Sequence, residues 1–320
     1  MNAPPRGHRI AWAISLVILA ATVAVTVWKG EPARFARLVE RAQPGWLVVG
    51  AALQAGTYLA AGAVLRRGLA QAGAGRSLVS LAPLGLMKLF VDQAVPMAGI
   101  GGTLLVVRAL QRRGIEEAAA SRAVVAGLFG FFAAYAIAIC VSVVYLWLRR
   151  DLGPEMLALT TLAGLVLVAL PAGFLLLGRR GQRVPAWTSR IPALASVLRT
   201  AGVAAAEAVR DPALIVTVVA LQLAIFVLDA ATFWSMLAAV GEPAAPMVAF
   251  TVYVMASVAA TVSVLPGGVG AFEVGSVVLL RVLAVPLEAA LAATLLLRGL
   301  TLWLPMVPGL WLARREVASA

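Results

Sequence analysis

Cysteine and histidine are almost missing from this chain, which has only Cys140 and His8 in 320 residues. Disulfide frameworks and metal sites built on His or Cys are thereby excluded. Charge is also sparse, at 12% Asp, Glu, Lys and Arg, and no stretch between apolar runs is long enough for a soluble catalytic domain. No His-based triad can be assembled, and Glu273 with a hydroxyl such as Ser263 or Thr261 makes a poor active site. The expectation is a protein that is not an enzyme and uses no cofactor and no metal.

What fills the sequence is apolar: 62% hydrophobic residues and a mean hydropathy of +0.97. Runs of eighteen or more such residues recur along most of its length, the mark of an all-α polytopic membrane protein. The first run, 10–28, is followed by Lys29-Gly30-Glu31-Pro32 rather than a small-residue cleavage site, so it reads as a span and not a signal peptide. The net charge of +12 comes from basic residues that flank apolar runs. That pattern suits membrane topology and anionic headgroups, and nucleic acid is not expected as a partner.

Full spans are expected at 10–28, 46–64, 121–148, 155–177, 213–240 and 288–312. Two more apolar regions, 77–111 and 245–283, are each broken by proline and glycine, at Pro96-Met97-Ala98-Gly99-Ile100-Gly101-Gly102 and at Pro266-Gly267-Gly268-Val269-Gly270-Ala271-Phe272-Glu273. Broken backbone at membrane depth survives only where protein buries it or a wet cavity receives it, and paired breaks point to a transport site. Read as re-entrant hairpins, the two regions leave 15 Lys/Arg on the cytoplasmic side. Six remain outside: Lys29, Arg34, Arg37, Arg41, Arg149 and Arg150. If 77–95 crossed completely, the split would be 9 inside against 12 outside. The positive-inside rule favours the hairpins, with both termini and segment 178–212 cytoplasmic. The first hairpin has unequal arms, about 28 Å and about 16 Å as straight helix.

The arrangement repeats. Segments 46–64, 77–111 and 121–148 begin 31 and then 44 residues apart, and segments 213–240, 245–283 and 288–312 begin 32 and then 43 apart. With opposite starting sides, the halves 46–148 and 213–312 form an inverted repeat within one domain, 1–320. Chance spacing is the competing explanation. The stretches 32–43 and 192–210 each carry an apolar and a basic face and read as interfacial helices.

Five charges lie deep in apolar segments: Lys88, Asp92, Asp229, Glu273 and Arg298. Such charges usually face a partner or a cavity. Arg298 falls about 15 Å into its span and Lys88 about 16 Å into its hairpin arm, near the midplane. Glu273 follows the second break, so Glu273 and Arg298 can meet there. Lys88 and Asp92 share a helix face four residues apart. A structural ion pair is the alternative for both. Asp229 has no partner visible in the sequence and is expected to see interfacial water. Gly99, Gly101, Gly102, Gly267, Gly268 and Gly270 would expose N–H groups at half-helix starts, suited to an anionic headgroup. Arg108 and Arg281 follow those starts as contacts, unless they snorkel to the interface.

The stretch from Val264 through Leu265-Pro266-Gly267-Gly268-Val269-Gly270-Ala271-Phe272 to Glu273, followed by Ala292 to Pro305 with Arg298 inside it, resembles the transmembrane flippase-like domain of lysylphosphatidylglycerol synthases. The stretch from Asp92 through Gly102 to Arg112-Arg113-Gly114 is similar to that domain's earlier motif. The resemblance implies an inner-membrane protein that moves lipids between leaflets, as the family's domain does for aminoacylated phosphatidylglycerol. Glu273 and Arg298 match the family's acidic and basic positions. Bifunctional members carry a soluble aminoacyl-transferase domain after the spans; this chain ends at Ala320, so no synthase activity is expected. The first motif has Thr103 and Leu104 where members often have a carboxylate, and aligning the repeats puts Gly127 opposite Arg298. Stand-alone members also resemble proteins of hopanoid or polyprenyl-lipid pathways, which widens the cargo. The partners expected are therefore a membrane lipid and lipid-biosynthetic enzymes. A non-transporting scaffold of such enzymes, or a small-solute permease, are the competing functions.

Overall fold

The computed structural model describes residues 42–94, 100–149, 211–242, 244–263 and 268–305, with 40, 153, 161 and 165 as isolated positions. No strand occurs among the described residues. The helices are α1 (Pro44–Gln71), α2 (Leu78–Ala94), α3 (Ile100–Arg112), α4 (Glu117–Arg149), α5 (Pro212–Ala239), α6 (Pro246–Val262), α7 (Ala271–Val282) and α8 (Leu287–Arg298). The last continues directly into a π-helical turn, Gly299–Trp303. The expected spans 10–28 and 155–177, and nearly all of 32–43 and 192–210, lie outside the described residues, as do Gly99 and Gly267.

Three helices, α1, α4 and α5, are long and apolar enough to cross a membrane. They occupy the segments expected at 46–64, 121–148 and 213–240. Helix α1 outruns its expected end because Leu65, Gly68 and Leu69 are buried in the core of the first half, against Ala120 and Ala123. Proline opens α1, α5 and α6, where a missing N–H costs nothing because the first helical donors have no intrahelical acceptor. Asp211 caps α5 by accepting the Leu214 N–H at 3.0 Å.

Each region expected as a hairpin consists of two helices that pack on each other, α2 with α3 and α6 with α7. The arms of the first are 17 and 13 residues, about 25 Å and 20 Å, so they are closer in length than expected. The halves keep matching beyond this. Helices α1 and α5 have 28 residues each, α2 and α6 have 17 each, and α3 and α7 have 13 and 12. In both halves the first helix touches the second and fourth, and the third touches the same two. The turns match as well. Gly73 (φ 73°) and Gly241 (φ 81°) close α1 and α5 with the same pair of backbone bonds. Gly114 (φ 74°) and Ala284 (φ 67°) do so for α3 and α7. The alanine holds a left-handed conformation that the glycine adopts freely.

The halves meet along α1 and α5, which run antiparallel. The Gln43 N–H donates to the Ala239 carbonyl at 2.9 Å at one end, and Gln71 Nε2 donates to Asp211 Oδ2 at 3.0 Å at the other. Small residues permit the approach: a Cβ on Gly50 would lie 2.5 Å from Met236 Cε. Helix α4 packs on α5 and α6 from the other side. The outer surface carries exposed Val48, Leu59, Val144, Leu148, Val216 and Val227, as expected of helices in contact with hydrocarbon.

Candidate functional site

The second break is built around two glycines. Gly268 (φ 59°) and Gly270 (φ 91°) are left-handed, and a Cβ on Gly268 would stand 2.3 Å from the Cβ of Ala260 on α6. Any other residue at 268 would be strained and would collide with the preceding helix. The chain then enters α7, and Glu273, in its first turn, folds back. Its Oε2 accepts the Gly270 N–H at 2.6 Å, satisfying a donor that the helix itself leaves free. Its Oε1 accepts Nε–H of Arg298, the last residue of α8, at 2.7 Å. Both side chains are buried, 2% and 8% exposed. The guanidinium lies 5.0 Å from the centroid of the Phe272 ring, a cation–π contact. The π-helical turn begins at the residue after Arg298, a backbone form found disproportionately at functional sites.

Asp229 departs from the expectation of interfacial water. It accepts hydrogen bonds from Thr57 Oγ1 of α1 at 2.9 Å and from Tyr253 Oη of α6 at 2.7 Å. The Tyr253 ring packs edge-on against Phe272, 6.0 Å between centroids. A continuous series of contacts therefore joins Thr57 at the seam between the halves to the Glu273–Arg298 pair. It is not legible in the sequence, because Thr57 lies 172 residues from Asp229 and both hydroxyl residues sit in apolar runs. Further polar atoms are buried with unused hydrogen-bonding capacity, among them Gln54 Oε1, Tyr58 Oη and Tyr135 Oη. Gln54 and Tyr58 flank Thr57 on α1, and such groups in an apolar protein require explanation.

The other expected site residues are not gathered here. Lys88 is half-buried on α2, while Asp92 belongs to α2 with its side chain outside the described residues. Gly101 and Gly102 form the first turn of α3, with Gly102 buried. Arg108 is exposed on α3. Arg281 Nη1 donates to the Val285 carbonyl at 3.4 Å and serves the turn after α7. A shift of 170 residues, which carries the turn at Gly114 onto that at Ala284, pairs Thr103 with Glu273 and Leu128 with Arg298. The Gly127 carbonyl accepts Gln222 Nε2 at 3.1 Å, a bond between α4 and α5.

The family model described as lysylphosphatidylglycerol synthase TM region matches residues 12–309. No curated protein matches the chain.

Proposed function

The chain belongs to the lysylphosphatidylglycerol synthase TM region family, and on that premise we propose that it carries polar-headed lipids between the leaflets of a bacterial cytoplasmic membrane, without covalent change to them. The observation that carries the reading is the buried Glu273–Arg298 pair at a helix break, 2.7 Å apart. A polar headgroup must pass about 30 Å of hydrocarbon. A break that offers a guanidinium and helix-start N–H groups can replace headgroup hydration while the tails stay in lipid. Glu273 holds both donors at rest. The phosphate of an anionic or zwitterionic lipid then exchanges with that carboxylate for Arg298 and the Gly270 N–H.

The architecture we propose has six spans and two re-entrant hairpins, 77–111 and 245–283, in an inverted repeat with both termini cytoplasmic. The matching lengths of the first three helix pairs and the equivalent turns support it, and so does the seam. A shift of 168 residues carries Pro44 onto Pro212, and it carries Gln43 onto Asp211 and Gln71 onto Ala239. The residue pairs Gln43–Ala239 and Gln71–Asp211 are then equivalent positions at the two ends of the seam, as a two-fold axis between antiparallel helices requires, although the first is joined backbone to backbone and the second side chain to side chain. The excess of basic residues in the segments assigned to the cytoplasm supports the orientation.

The cargo we propose is drawn from aminoacylated phosphatidylglycerol, hopanoids and polyprenyl-phosphate lipids, with the enzymes that make it as partners. The test is leaflet exchange of labelled lipids of these classes in proteoliposomes of the purified chain. Acceleration of at least one class is expected. Folded protein that accelerates none would overturn transport and leave a scaffold of lipid-biosynthetic enzymes.

A further inference from the structure

We propose that Asp229 is a proton-binding site that couples lipid movement to the proton gradient across the membrane. The coupling rests on the transport reading above, whereas proton binding does not. Asp229 lies well inside α5, 17 residues from Pro212 and 10 from Ala239, about 26 Å and 15 Å from its ends. It is the carboxylate in the interior of the seam, away from Asp211 at one end. Thr57 reaches it from the first half and Tyr253 from the second.

Its surroundings differ in kind from those of Glu273. Glu273 is bound to a guanidinium, a partner that can only donate. Asp229 is held by two hydroxyls, and a hydroxyl is donor and acceptor alike. The charged carboxylate accepts from both. With a proton on Oδ1, it donates to Thr57 Oγ1, whose own O–H turns away, while Tyr253 continues to donate to Oδ2. Both protonation states are therefore satisfied by the same residues, and only the direction of one hydrogen bond reverses. Asp229 is half-buried. Gln54 and Tyr58 lie on the same face of α1 as Thr57, and Tyr58 is near enough to feel the charge of Asp229.

The titratable groups around it are few. Helix α1 contributes Tyr58, and α6 contributes Tyr253. Helix α4 contributes Tyr135, near Tyr253, while its charged residues Glu117, Arg122 and Arg149 lie toward its ends. Helix α8 has Glu288 in its first turn and Arg298 in its last, the latter engaged by Glu273. Proton uptake at Asp229 reverses a bond that joins α1 to α5. The other holder, Tyr253, rests on Phe272, which lies beneath Arg298. Seam and lipid site are thus in direct mechanical contact.

Two measurements on the purified full chain test this. Infrared difference spectra recorded across a pH titration should show the C=O band of a protonated carboxyl. That band should be missing in Asp229→Asn and displaced in frequency in Tyr253→Phe, which removes one of its hydrogen bonds. A wild-type band that survives in Asp229→Asn, or no titrating band, overturns the site. Leaflet exchange of labelled aminoacylated phosphatidylglycerol, hopanoid and polyprenyl-phosphate probes in proteoliposomes is then measured under pH gradients of either sign. The wild type should exchange several-fold faster under one sign, and Asp229→Asn should lose that asymmetry. Equal wild-type rates under both signs overturn the coupling and leave transport standing. A titrating band with no lipid exchange under any gradient overturns transport, and the coupling with it, but leaves Asp229 a proton site.

Discussion

Replacing Glu273 by glutamine keeps the shape of the side chain and removes its charge. Both partners of the carboxylate are N–H donors: Gly270 N at 2.6 Å and Arg298 Nε at 2.7 Å. Glutamine offers one acceptor oxygen, and its amide nitrogen turns a donor toward whichever partner is left. Stripping one member from a buried ion pair costs about 3–5 kcal/mol. The Phe272 ring still faces the guanidinium and retains about 1 kcal/mol of that. A net loss of about 2–4 kcal/mol is expected for Glu273→Gln. Arg298→Leu should lose a similar amount, because it leaves the carboxylate with the Gly270 N–H as its remaining described partner. Combining the two changes removes both charges, and the double variant should be more stable than either single one. Reversible unfolding in mixed micelles gives the stabilities, and leaflet exchange in proteoliposomes, run in parallel, should be lost in all three variants. Single losses that add to the double loss within about 0.5 kcal/mol would show that the pair is not energetically coupled. Normal exchange in both single variants would remove it from the transport path.

Gly268→Ala should lose about 2–4 kcal/mol from left-handed strain and collision with Ala260. Gly275→Ala, whose new Cβ would stand 3.4 Å from its nearest neighbour, should melt within a degree or two of the parent, and equal melting of both would refute the packing at the break. Thr57→Val and Tyr253→Phe should each lose about 1–3 kcal/mol by removing a donor from Asp229. Their losses should not add, because they share one carboxylate; strict additivity in unfolding experiments would argue against the shared site. In a Cys140→Ala background, single cysteines near Arg183 should react with an impermeant reagent from the cytoplasmic side alone, and labelling from outside would overturn the proposed topology.

The sequence showed its helices where local chemistry sets them. Prolines at 44, 212 and 246 open helices because the first turn needs no N–H there, and the glycine clusters mark the ends of α6 and α3's start for the opposite reason. The Glu273–Arg298 contact was legible because two opposite charges deep in apolar segments have few ways to be satisfied. Asp229 obeyed the same rule but could not be read, since its partners are neutral hydroxyls on helices remote in sequence. The role of Phe272 was hidden too: a phenylalanine beside a charged residue looks like any other apolar residue until the fold sets a guanidinium over its ring.

The seam between α1 and α5 has a mechanical consequence. Thr57 stands midway along α1, about 20 Å from either end, and its bond to Asp229 makes that point a fulcrum. Tilting α1 by about 10° in the plane of the two helices displaces each end by about 3–4 Å in opposite senses, by lever geometry over that length. One surface of the molecule opens while the other tightens. Each extremity of the lever is tied by one hydrogen bond, Gln43 to Ala239 and Gln71 to Asp211, and releasing such a bond costs about 1 kcal/mol. Such a tilt would release one described hydrogen bond at each end and turn about a carboxylate at the centre.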